Sequence, residues 1–332
     1  MKRKPFNIIK WVEALWYQMH PLRWLLWPLS WVYAAIVRVR RLIIECFFQK
    51  KLSVPVIVVG NITVGGVGKT PLVIALAKTF LEKGLRVGIV SRGYGATVKR
   101  FPYEVSPQAD AKKVGDEPRL LAITTGCPVV IAPKRVDAAQ FLIDNHQVQL
   151  IISDDGLQHY AMGRAIEIAV LDGVRGLGNG MLLPAGPLRE RPQRLEQVDF
   201  VVVNGGADND AYAMALSPGK LRKLTCDTEV NLTALIEPII AIAAIGNPQR
   251  FFTTLADLGL SFKSQTFPDH HDFVAEELTF SEKSILMTEK DAVKCHAFAT
   301  DAMYYLPVEA RLGEDFWQAL FAHQQLKAVL KE

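Results

Sequence analysis

Eight consecutive residues, 63–70, have the composition of a phosphate-binding loop: they read Thr-Val-Gly-Gly-Val-Gly-Lys-Thr and follow the apolar run 54–60. The glycines of such a loop let backbone N–H groups point into a shared concavity, and the start of the next helix adds partial positive charge. Lys69 then reaches the outer phosphates of a triphosphate, and Thr70 offers its hydroxyl to Mg²⁺. The residues expected at the phosphates are Thr63, Val64, Gly65, Gly66, Val67, Gly68, Lys69 and Thr70. The usual pattern has Gly where Thr63 stands, and an ordinary glycine turn is the alternative.

Two acids end a second, mostly apolar run. Residues 148–153 lead into Asp154 and Asp155. An acid at the end of a strand completes a triphosphate site, because it holds Mg²⁺ directly or through water. We expect Asp154 to bind the metal, with Asp155 a rival for that role and a candidate catalytic residue. The alternative is that these acids cap a helix.

A third acidic segment reads Gly115-Asp116-Glu117-Pro118. A carboxylate at Asp116 could accept a proton from an alcohol, or hold the metal. Equally, Asp116 could be the N-cap of a helix that has Pro118 in its first turn.

Three other polar segments follow predicted strands. In 91–95, Arg92 could neutralise phosphoryl charge, although a plain turn explains the segment equally well. In 269–272, His270 and its neighbouring imidazole lie between two carboxylates, an arrangement that handles protons. Thr-Glu-Lys-Asp at 288–291 is either another part of the site or a capped helix start.

The elements that must position these residues alternate between strand and helix. Continuous Val/Ile runs predict strands covered on both faces, hence a mainly parallel sheet. The alternation predicts a doubly wound α/β fold of the P-loop NTPase type. The predicted strands are 54–59, 87–90, 129–131, 150–152, 166–171 and 200–203, and the helices between them are 72–82, 117–124 and 136–145.

A second β/α set follows the stretch 205–235, in which the pattern weakens. Its predicted strands are 239–245, 264–267, 285–287 and 303–306, and its closing helix is 316–330. We therefore expect a helical arm over 1–50, a P-loop nucleotide-binding domain over 51–204, and a smaller α/β domain over 205–332. The last of these would supply His270.

The net charge of +4 conceals an asymmetry. Residues 1–51 carry ten Lys/Arg and two Glu, a net +8, so the remainder sums to −4. The basic character therefore belongs to the arm, and we expect no nucleic-acid partner. The four cysteines form no C-x-x-C pair, which favours free thiols in a reducing cytosol.

The arm is rich in tryptophan: five of the six lie in the first 31 residues. Its uncharged run 24–37 has 14 residues, whereas a spanning helix needs about 20. Trp24, Trp27 and Trp31 share one helical face with arginines on either side, which suits a membrane surface. The alternatives are an arm that packs its aromatics on the protein's own core, or a true span.

Taken together, the motifs resemble those of the tetraacyldisaccharide 4′-kinases of lipid A biosynthesis. The resemblance is carried, in order, by segments 59–71, 91–95, 115–118, 154–159, 178–180, 183–190, 267–270 and 288–291. Thr63 is not a departure from this family. In residues 1–50 and 205–235 the chain has the general character of the family but none of its motifs.

The resemblance implies transfer of the γ-phosphate of ATP, with Mg²⁺, to the 4′-hydroxyl of a tetraacylated glucosamine disaccharide 1-phosphate, giving lipid IVA. It also implies a proton-removing pair, Asp116 and His270 here, and an N-terminal helix at the cytoplasmic face of the bacterial inner membrane. We count Lys69 and Asp155 as catalytic as well. Candidate substrate contacts are Arg92, Tyr94, Arg119, Gln158, His159 and Asn179.

The main alternative is a membrane-surface P-loop ATPase switch of the partitioning or division type. Such proteins share the Gly-Gly-x-Gly-Lys-Thr loop, but they normally carry Lys where Val64 stands, and their membrane helix tends to be C-terminal. A GTPase targeting factor would need a guanine-reading motif, which 288–291 imitates weakly, with Glu289 in place of Asn. A kinase consumes ATP in proportion to phosphorylated glycolipid, whereas a switch hydrolyses ATP without an acceptor.

Overall fold

The structure, a computed structural model, describes residues 8–18, 20–206, 211–327 and 329–330, and it divides into two units. The first unit is built from the described residues within Met1–Lys69, Asp155–Met214 and Leu312–Glu332. The second comprises Thr70–Asp154 and Ala215–Arg311. The three-part domain division expected from the sequence stays a prediction.

The helices and strands are numbered in chain order. The helices are α1 (Ile8–Tyr17), α2 (Arg23–Phe47), α3 (Lys69–Glu82), α4 (Ala111–Val114), α5 (Asp116–Thr125), α6 (Arg135–His146), α7 (Pro248–Asp257), α8 (Glu289–Cys295), α9 (Glu314–Ala322) and α10 (Gln324–Lys327). The strands are β1 (Val56–Gly60), β2 (Val87–Ser91), β3 (Tyr103–Glu104), β4 (Val129–Ile131), β5 (Leu150–Ser153), β6 (Ile166–Asp172), β7 (Phe200–Asn204), β8 (Tyr212–Pro218), β9 (Arg222–Lys223), β10 (Ile239–Ala243), β11 (Phe262–Thr266), β12 (Ser284–Thr288), β13 (Met303–Leu306) and β14 (Val308–Leu312).

The first unit is centred on parallel strands in the order β8, β7, β6, β1. Every residue of β1 is buried, which confirms the prediction of a strand covered on both faces. The carboxyl end of β1 leads directly into the glycine loop, and the end of β7 brings Asn204 to the same edge. Parallel strands therefore supply the polar groups of this unit at one edge.

In the second unit, β5, β2 and β4 are parallel, and β3 pairs with β4 in the antiparallel direction. A separate sheet has the order β11-β10-β12-β13-β9, parallel except for the edge strand β9. One face of this sheet packs against Phe273 and Leu278, and the other packs against Phe251 and Phe252. The mixed α/β architecture with a mainly parallel sheet is as predicted.

One expected element of the fold is wrong, and two segments carry elements whose bounds the sequence did not give. The predicted closing helix 316–330 is wrong as a single element, because His323 is extended between α9 and α10. The weakly patterned stretch 205–235 contains β8 and the two-residue β9. The uncharged run 24–37 is part of the 25-residue helix α2, which continues through the arginines after the run.

Helix α2 is fixed to the first unit by polar contacts on one side. The buried Ser30 hydroxyl donates to the carbonyl of Leu182 at 2.8 Å and accepts from the amide of Ala185 at 3.2 Å. The Tyr33 hydroxyl donates to the carbonyl of Arg189 at 3.2 Å. The arm therefore packs against 182–189, the segment that follows the glycine turns after β6.

A second face of α2 carries apolar side chains exposed to solvent. Six of them recur at intervals of four and three residues, which places them on one helical face. They are Leu25, Leu29, Val32, Ile36, Val39 and Ile43, with exposed fractions between 46% and 72%. Trp24, Trp27 and Trp31 form a chain of edge-to-face contacts at 6.2 and 5.8 Å, and all three are exposed. The side chain of Trp11 lies outside the described residues.

Within the described ranges, no helix combines the length and apolar character required to cross a membrane. The four cysteines are free thiols, as predicted.

We predict that Gly60→Ala lowers the melting temperature by a few degrees. A Cβ at position 60 would lie 2.8 Å from Cγ of Leu157 and 2.9 Å from its backbone nitrogen, and overpacking of this kind costs about 1–3 kcal/mol. Gly66→Ala is the matched control, since no described atom lies within 4 Å of the added methyl group. Calorimetry of both variants in the full chain checks this, and equal melting temperatures for Gly60→Ala and the parent chain would contradict it.

Candidate active site

Two glycines give the phosphate loop its shape. Gly65 and Gly68 have φ of +116° and +98°, which side-chain-bearing residues rarely adopt. A Cβ on Gly68 would also lie 2.9 Å from Nδ2 of Asn204, and that amide donates to the carbonyl of Val67 at 3.1 Å. The loop is therefore braced by the end of β7 and needs glycine where the backbone turns.

The first part of the loop is held by residues 187–189, which belong to the segment that contacts α2. The amide of Val64 donates to the carbonyl of Pro187 at 2.9 Å, and the amide of Arg189 donates to the carbonyl of Ile62 at 2.7 Å. Thr63 pairs with Leu188 in a single antiparallel bridge. The N–H of Val64 is therefore already engaged within the protein.

Five polar residues meet around Lys69, at the end of the loop, and we call them the phosphate-loop cluster. They are Asn61, Lys69, Asp155, Gln158 and Arg189. The Lys69 ammonium lies 3.2 Å from Oδ1 of Asn61 and 3.4 Å from Oδ1 of Asp155. The Arg189 guanidinium lies 3.3 Å from Oδ2 of Asp155. One carboxylate therefore holds two cations beside a loop suited to an anion.

Gln158 connects this cluster to a buried carboxylate. Its Nε2 donates to the carbonyl of Asn61 at 3.0 Å and to Oε1 of Glu190 at 2.7 Å. The buried Tyr160 hydroxyl donates to the other oxygen of Glu190, and the guanidinium of Arg41 from α2 lies 4.7 Å from the Tyr160 ring. The position of Gln158 is thus fixed by its hydrogen bond to Glu190, which is itself held by Tyr160.

A buried ion network continues from Glu190. Glu167 accepts hydrogen bonds from Arg164, at 2.7 Å, and from Arg194, which also lies 3.6 Å from Glu190. Burial favours a raised pKa for Glu167, but the hydrogen bonds and charges of Arg194 and Arg164 outweigh it, so the pKa of Glu167 is lowered.

The second unit contains another polar group, the acid–imidazole cluster: Asp116, Glu117, His270 and Lys290. Nδ1 of His270 lies 3.1 Å from Oδ2 of Asp116. The Lys290 ammonium lies 3.1 Å from Oε1 of Glu117 and 3.4 Å from Nε2 of His270. The exposed Tyr94 completes the surroundings, with its ring 5.9 Å from the imidazole.

Asp116 lies in the first turn of α5, and the N-cap is Gly115, so the alternative of Asp116 as N-cap is wrong. Gly115 has φ of +92°, and a Cβ there would lie 2.7 Å from the carbonyl oxygen of Tyr94. The Asp116 carboxylate therefore lies at the start of α5, where the helix carries partial positive charge. The glycine thus permits the turn that aims the acid.

Two of the four described non-glycine residues with positive φ are Asp155, at 47°, and His270, at 59°. Such conformations persist where the surroundings enforce them, and they are concentrated at functional sites. The His270 turn is held by its amide, which donates to the carbonyl of Ala244 at 3.3 Å. The amide of Ala244 in turn donates to the buried carboxylate of Asp291 at 3.0 Å.

The segment 288–291 is a capped helix start, as one of its two predictions had it, and its part in the site stays a prediction. Thr288 caps α8 by accepting from the amide of Asp291, and Lys290 joins the acid–imidazole cluster.

Asp154 follows β5, and its side chain is buried. Its backbone amide donates to the carbonyl of Val90 at 2.9 Å. The next element after this pair is the strand β6, and no helix begins between the pair and that strand. The helix-cap alternative for Asp154 and Asp155 is therefore wrong. Within the described part of the chain, no group of three or more His, Cys, Asp and Glu could hold a metal by itself. A metal here would need oxygens from Thr70 and from a bound phosphate as well.

The other candidate substrate residues have varied surroundings. Arg92 is exposed after β2. Arg119 donates to the carbonyl of Val293, and burial lowers its pKa. The carbonyl of His159 accepts from Arg164 at 2.7 Å. Asn179 binds the backbone of its own turn, donating to Ala185 at 2.8 Å. Their substrate roles stay predictions.

Sequence reasoning missed Arg189, Glu190 and Tyr160 as members of the site. Segment 183–190 stood out only through the family resemblance, because nothing in its composition indicates that it would brace a loop more than a hundred residues earlier. Asn61, directly after β1, could have been found from its place at the carboxyl end of a buried strand.

The fold and these clusters define an α/β enzyme with a glycine-rich phosphate loop and a carboxylate–imidazole pair. The family model described as tetraacyldisaccharide-1-P 4′-kinase matches residues 22–325, and the chain belongs to this family. It is therefore a kinase of lipid A biosynthesis that phosphorylates the 4′-position of the tetraacyldisaccharide. The alternative of an ATPase switch is not favoured.

The relatives agree over almost the full length. The tetraacyldisaccharide 4′-kinase of Legionella pneumophila strain Lens is 54% identical over 316 residues, which are 95% of this chain and 98% of that protein. The same enzyme of Hahella chejuensis is 46% identical over 327 residues, covering 95% and 96%. The crystal structure of LpxK from Aquifex aeolicus, determined in complex with ATP, matches with a TM-score of 0.79 at 29% identity and covers 92% of this chain and 99% of that one.

We predict that Glu167→Gln lowers the melting temperature at pH 7 by about 5 °C or more, because breaking a buried ion pair costs about 3–5 kcal/mol. The folded pKa of Glu167 is lowered, so its stabilising effect is full above the ordinary value of about 4.3 and is lost as pH falls through the folded pKa. The difference from the parent chain should therefore shrink below about pH 4.5. Melting curves from pH 3 to 8 check this. The substitution Glu196→Gln, at an exposed position, is the control. A difference in melting temperature between Glu167→Gln and the parent chain that widened on acidification would contradict the prediction.

Proposed function

We propose that the phosphate loop binds ATP and that the Asp116–His270 pair removes the proton of the sugar hydroxyl as the γ-phosphate is transferred. The observation that carries this proposal is the 3.1 Å contact between His270 Nδ1 and Asp116 Oδ2. An acid oriented by an imidazole is a group able to accept an alcohol proton. Family membership supplies the reaction, and the two clusters supply the residues.

In this proposal, the loop binds the triphosphate through the amides of its glycine part and through Lys69. The Lys69 ammonium is held by neutral Asn61 and anionic Asp155 at distances above 3 Å, so it is oriented before a nucleotide arrives. Phosphoryl transfer depends mainly on positioning and on neutralising charge, which a pre-oriented cation provides. Arg189 beside Asp155 adds a second positive charge.

We also propose Mg²⁺ as cofactor, held by Thr70 and Asp154, with Asp155 the alternative ligand. Hydroxyl and carboxylate oxygens are the donors that Mg²⁺ prefers, and it usually keeps water and phosphate oxygens as its remaining ligands. The donor set therefore fits the ion. When bound, Mg²⁺ would neutralise charge on the β- and γ-phosphates.

Asp116 has the surroundings of a base. Its side chain is 11% exposed, its charge is favoured at the start of α5, and one of its oxygens is occupied by His270. The other oxygen is the proposed acceptor of the 4′-hydroxyl proton. The imidazole stabilises and orients the carboxylate through the transfer.

The substrate is a lipid, and we propose that α2 brings the enzyme to the cytoplasmic face of the inner membrane. Each CH₂ of an acyl chain withdrawn from the bilayer costs about 0.8 kcal/mol, so the enzyme must approach the acceptor. The exposed apolar face of α2, with basic side chains at Arg23, Arg38 and Arg40, suits the boundary between headgroups and acyl chains.

We predict that Asp116→Ala and Asp116→Asn slow turnover by about 10²–10⁴-fold, the usual contribution of a general base, with little change in ATP affinity. Turnover is measured with γ-labelled ATP and the tetraacyldisaccharide 1-phosphate. Asp257→Asn, an exposed carboxylate of the same unit, is the matched control. Near-normal turnover in both Asp116 variants would rule out the base assignment.

We predict that the combined substitution Leu25→Gln, Leu29→Gln and Ile36→Gln weakens binding to anionic vesicles by about 100-fold, since each loses about 1 kcal/mol of apolar burial. These three side chains are exposed and make none of the hydrogen bonds of Ser30 and Tyr33, so the arm stays attached to its unit. Sedimentation with vesicles measures the effect. The exposed Val174→Gln is the control, and unchanged vesicle binding by the triple variant would refute the membrane proposal.

A further inference from the structure

Lys290 makes contacts that no motif assigns to a function. Its ammonium contacts one carboxylate and the imidazole of the acid–imidazole cluster: Oε1 of Glu117 at 3.1 Å and Nε2 of His270 at 3.4 Å. The other imidazole nitrogen, Nδ1, faces Asp116. The imidazole therefore lies between an ammonium and a carboxylate, with one nitrogen toward each.

The position of Lys290 is fixed by the start of α8. Thr288 ends β12 and caps the helix, and Asp291 accepts from the Thr288 hydroxyl at 2.6 Å and from the amide of Ala244 at 3.0 Å. The carbonyl of Ala244 receives the amide of His270. The same buried acid thus anchors the backbones that carry the ammonium and the imidazole, which fixes their separation.

The lysine is charged. Burial opposes the ammonium form, but the carboxylates of Glu117, Asp269 and Asp116 outweigh burial and raise the pKa of Lys290. An ammonium group has three donors and no acceptor. Its partner at 3.4 Å must therefore accept, which leaves Nε2 of His270 without a proton. In a neutral imidazole the proton then resides on Nδ1 and is donated to Asp116.

We propose that Lys290 is a positioning residue that holds His270 in the Nδ1–H tautomer, with Glu117 holding the ammonium in place. This inference rests on the proposed roles of Asp116 and His270. In the opposite tautomer, the Nδ1 lone pair would face the Asp116 carboxylate and the Nε2 hydrogen would face the ammonium, so both contacts would become repulsive. Lys290 excludes that state, so the Nδ1–H of His270 stays directed at the carboxylate of Asp116 and keeps it oriented.

The tautomer can be measured directly in the full chain. Long-range proton–nitrogen spectra of protein labelled with ¹⁵N-histidine separate protonated from unprotonated ring nitrogens, and His270→Ala identifies the signal among the seven histidines. We expect a protonated Nδ1 and an unprotonated Nε2. Lys290→Met should mix the two tautomers, whereas Lys290→Arg, which keeps a cationic donor, should preserve the parent spectrum. A purely structural role for Lys290 would leave the tautomer unchanged in all three proteins.

Turnover is measured on the same proteins. Loss of a hydrogen bond from a charged group corresponds to about 10- to 100-fold, so Lys290→Met should lower kcat by that factor and leave the KM for ATP unchanged. Lys290→Arg should recover most of the loss. Lys263→Met, which removes an exposed ammonium of the same unit, is the control.

The possible failures are separable. A parent spectrum with a protonated Nε2 overturns the inference without any variant, so the test stands even if Lys290→Met does not fold. An unchanged tautomer and kcat in folded Lys290→Met also overturn it, while leaving the base proposal intact. If instead Asp116→Asn retains turnover, the proposed function itself fails, whatever the tautomer of His270.

Discussion

The carboxylate of Asp155 is the electrostatic centre of the phosphate loop. It draws the Lys69 ammonium and the Arg189 guanidinium to within 3.4 Å, in a backbone conformation that few residues adopt. Two cations side by side repel each other, and a shared anion makes their proximity tolerable until the nucleotide supplies more negative charge. Asn61 also holds the Lys69 ammonium, and Gln158 lies beside the Arg189 guanidinium. The protein's own groups therefore orient both cations beside the loop.

The acid–imidazole cluster follows the same principle with opposite charges. Here the carboxylate of Asp116 lies at a helix start and beside an imidazole, with an ammonium beyond the ring. Both clusters are supported by buried carboxylates that take no part in the chemistry proposed here: Glu190 beneath Gln158, and Asp291 beneath the His270 turn. Buried polar groups of this kind are costly unless they are fully satisfied, and once satisfied they hold a single geometry.

Much of the fold could be predicted because the strands beneath the site are continuous runs of Val and Ile, and because glycines and acids at their ends have few other uses. The position of the loop, the acid pair after β5 and the helix after Gly115 were all available from local pattern. The two-residue strand β9 and the break at His323 were not, since a short edge strand and an extended residue between helices are set by packing. The roles of Arg189, Glu190 and Tyr160 depend on a segment folding back beside β1, which no local pattern encodes. The contact of Lys290 with His270 joins two strand ends that are separated by 20 positions in the sequence.

The attachment of α2 has a consequence for catalysis at a surface. Ser30 and Tyr33 hold residues 182–189, and residues 187–189 pair with residues 62–64 at the start of the loop. Only a few backbone hydrogen bonds therefore separate the amphipathic helix from the glycines. With that helix resting among lipid headgroups, the loop would stand at a set height above the bilayer, so the vertical distance to a sugar anchored by its acyl chains would be a built-in dimension of the protein.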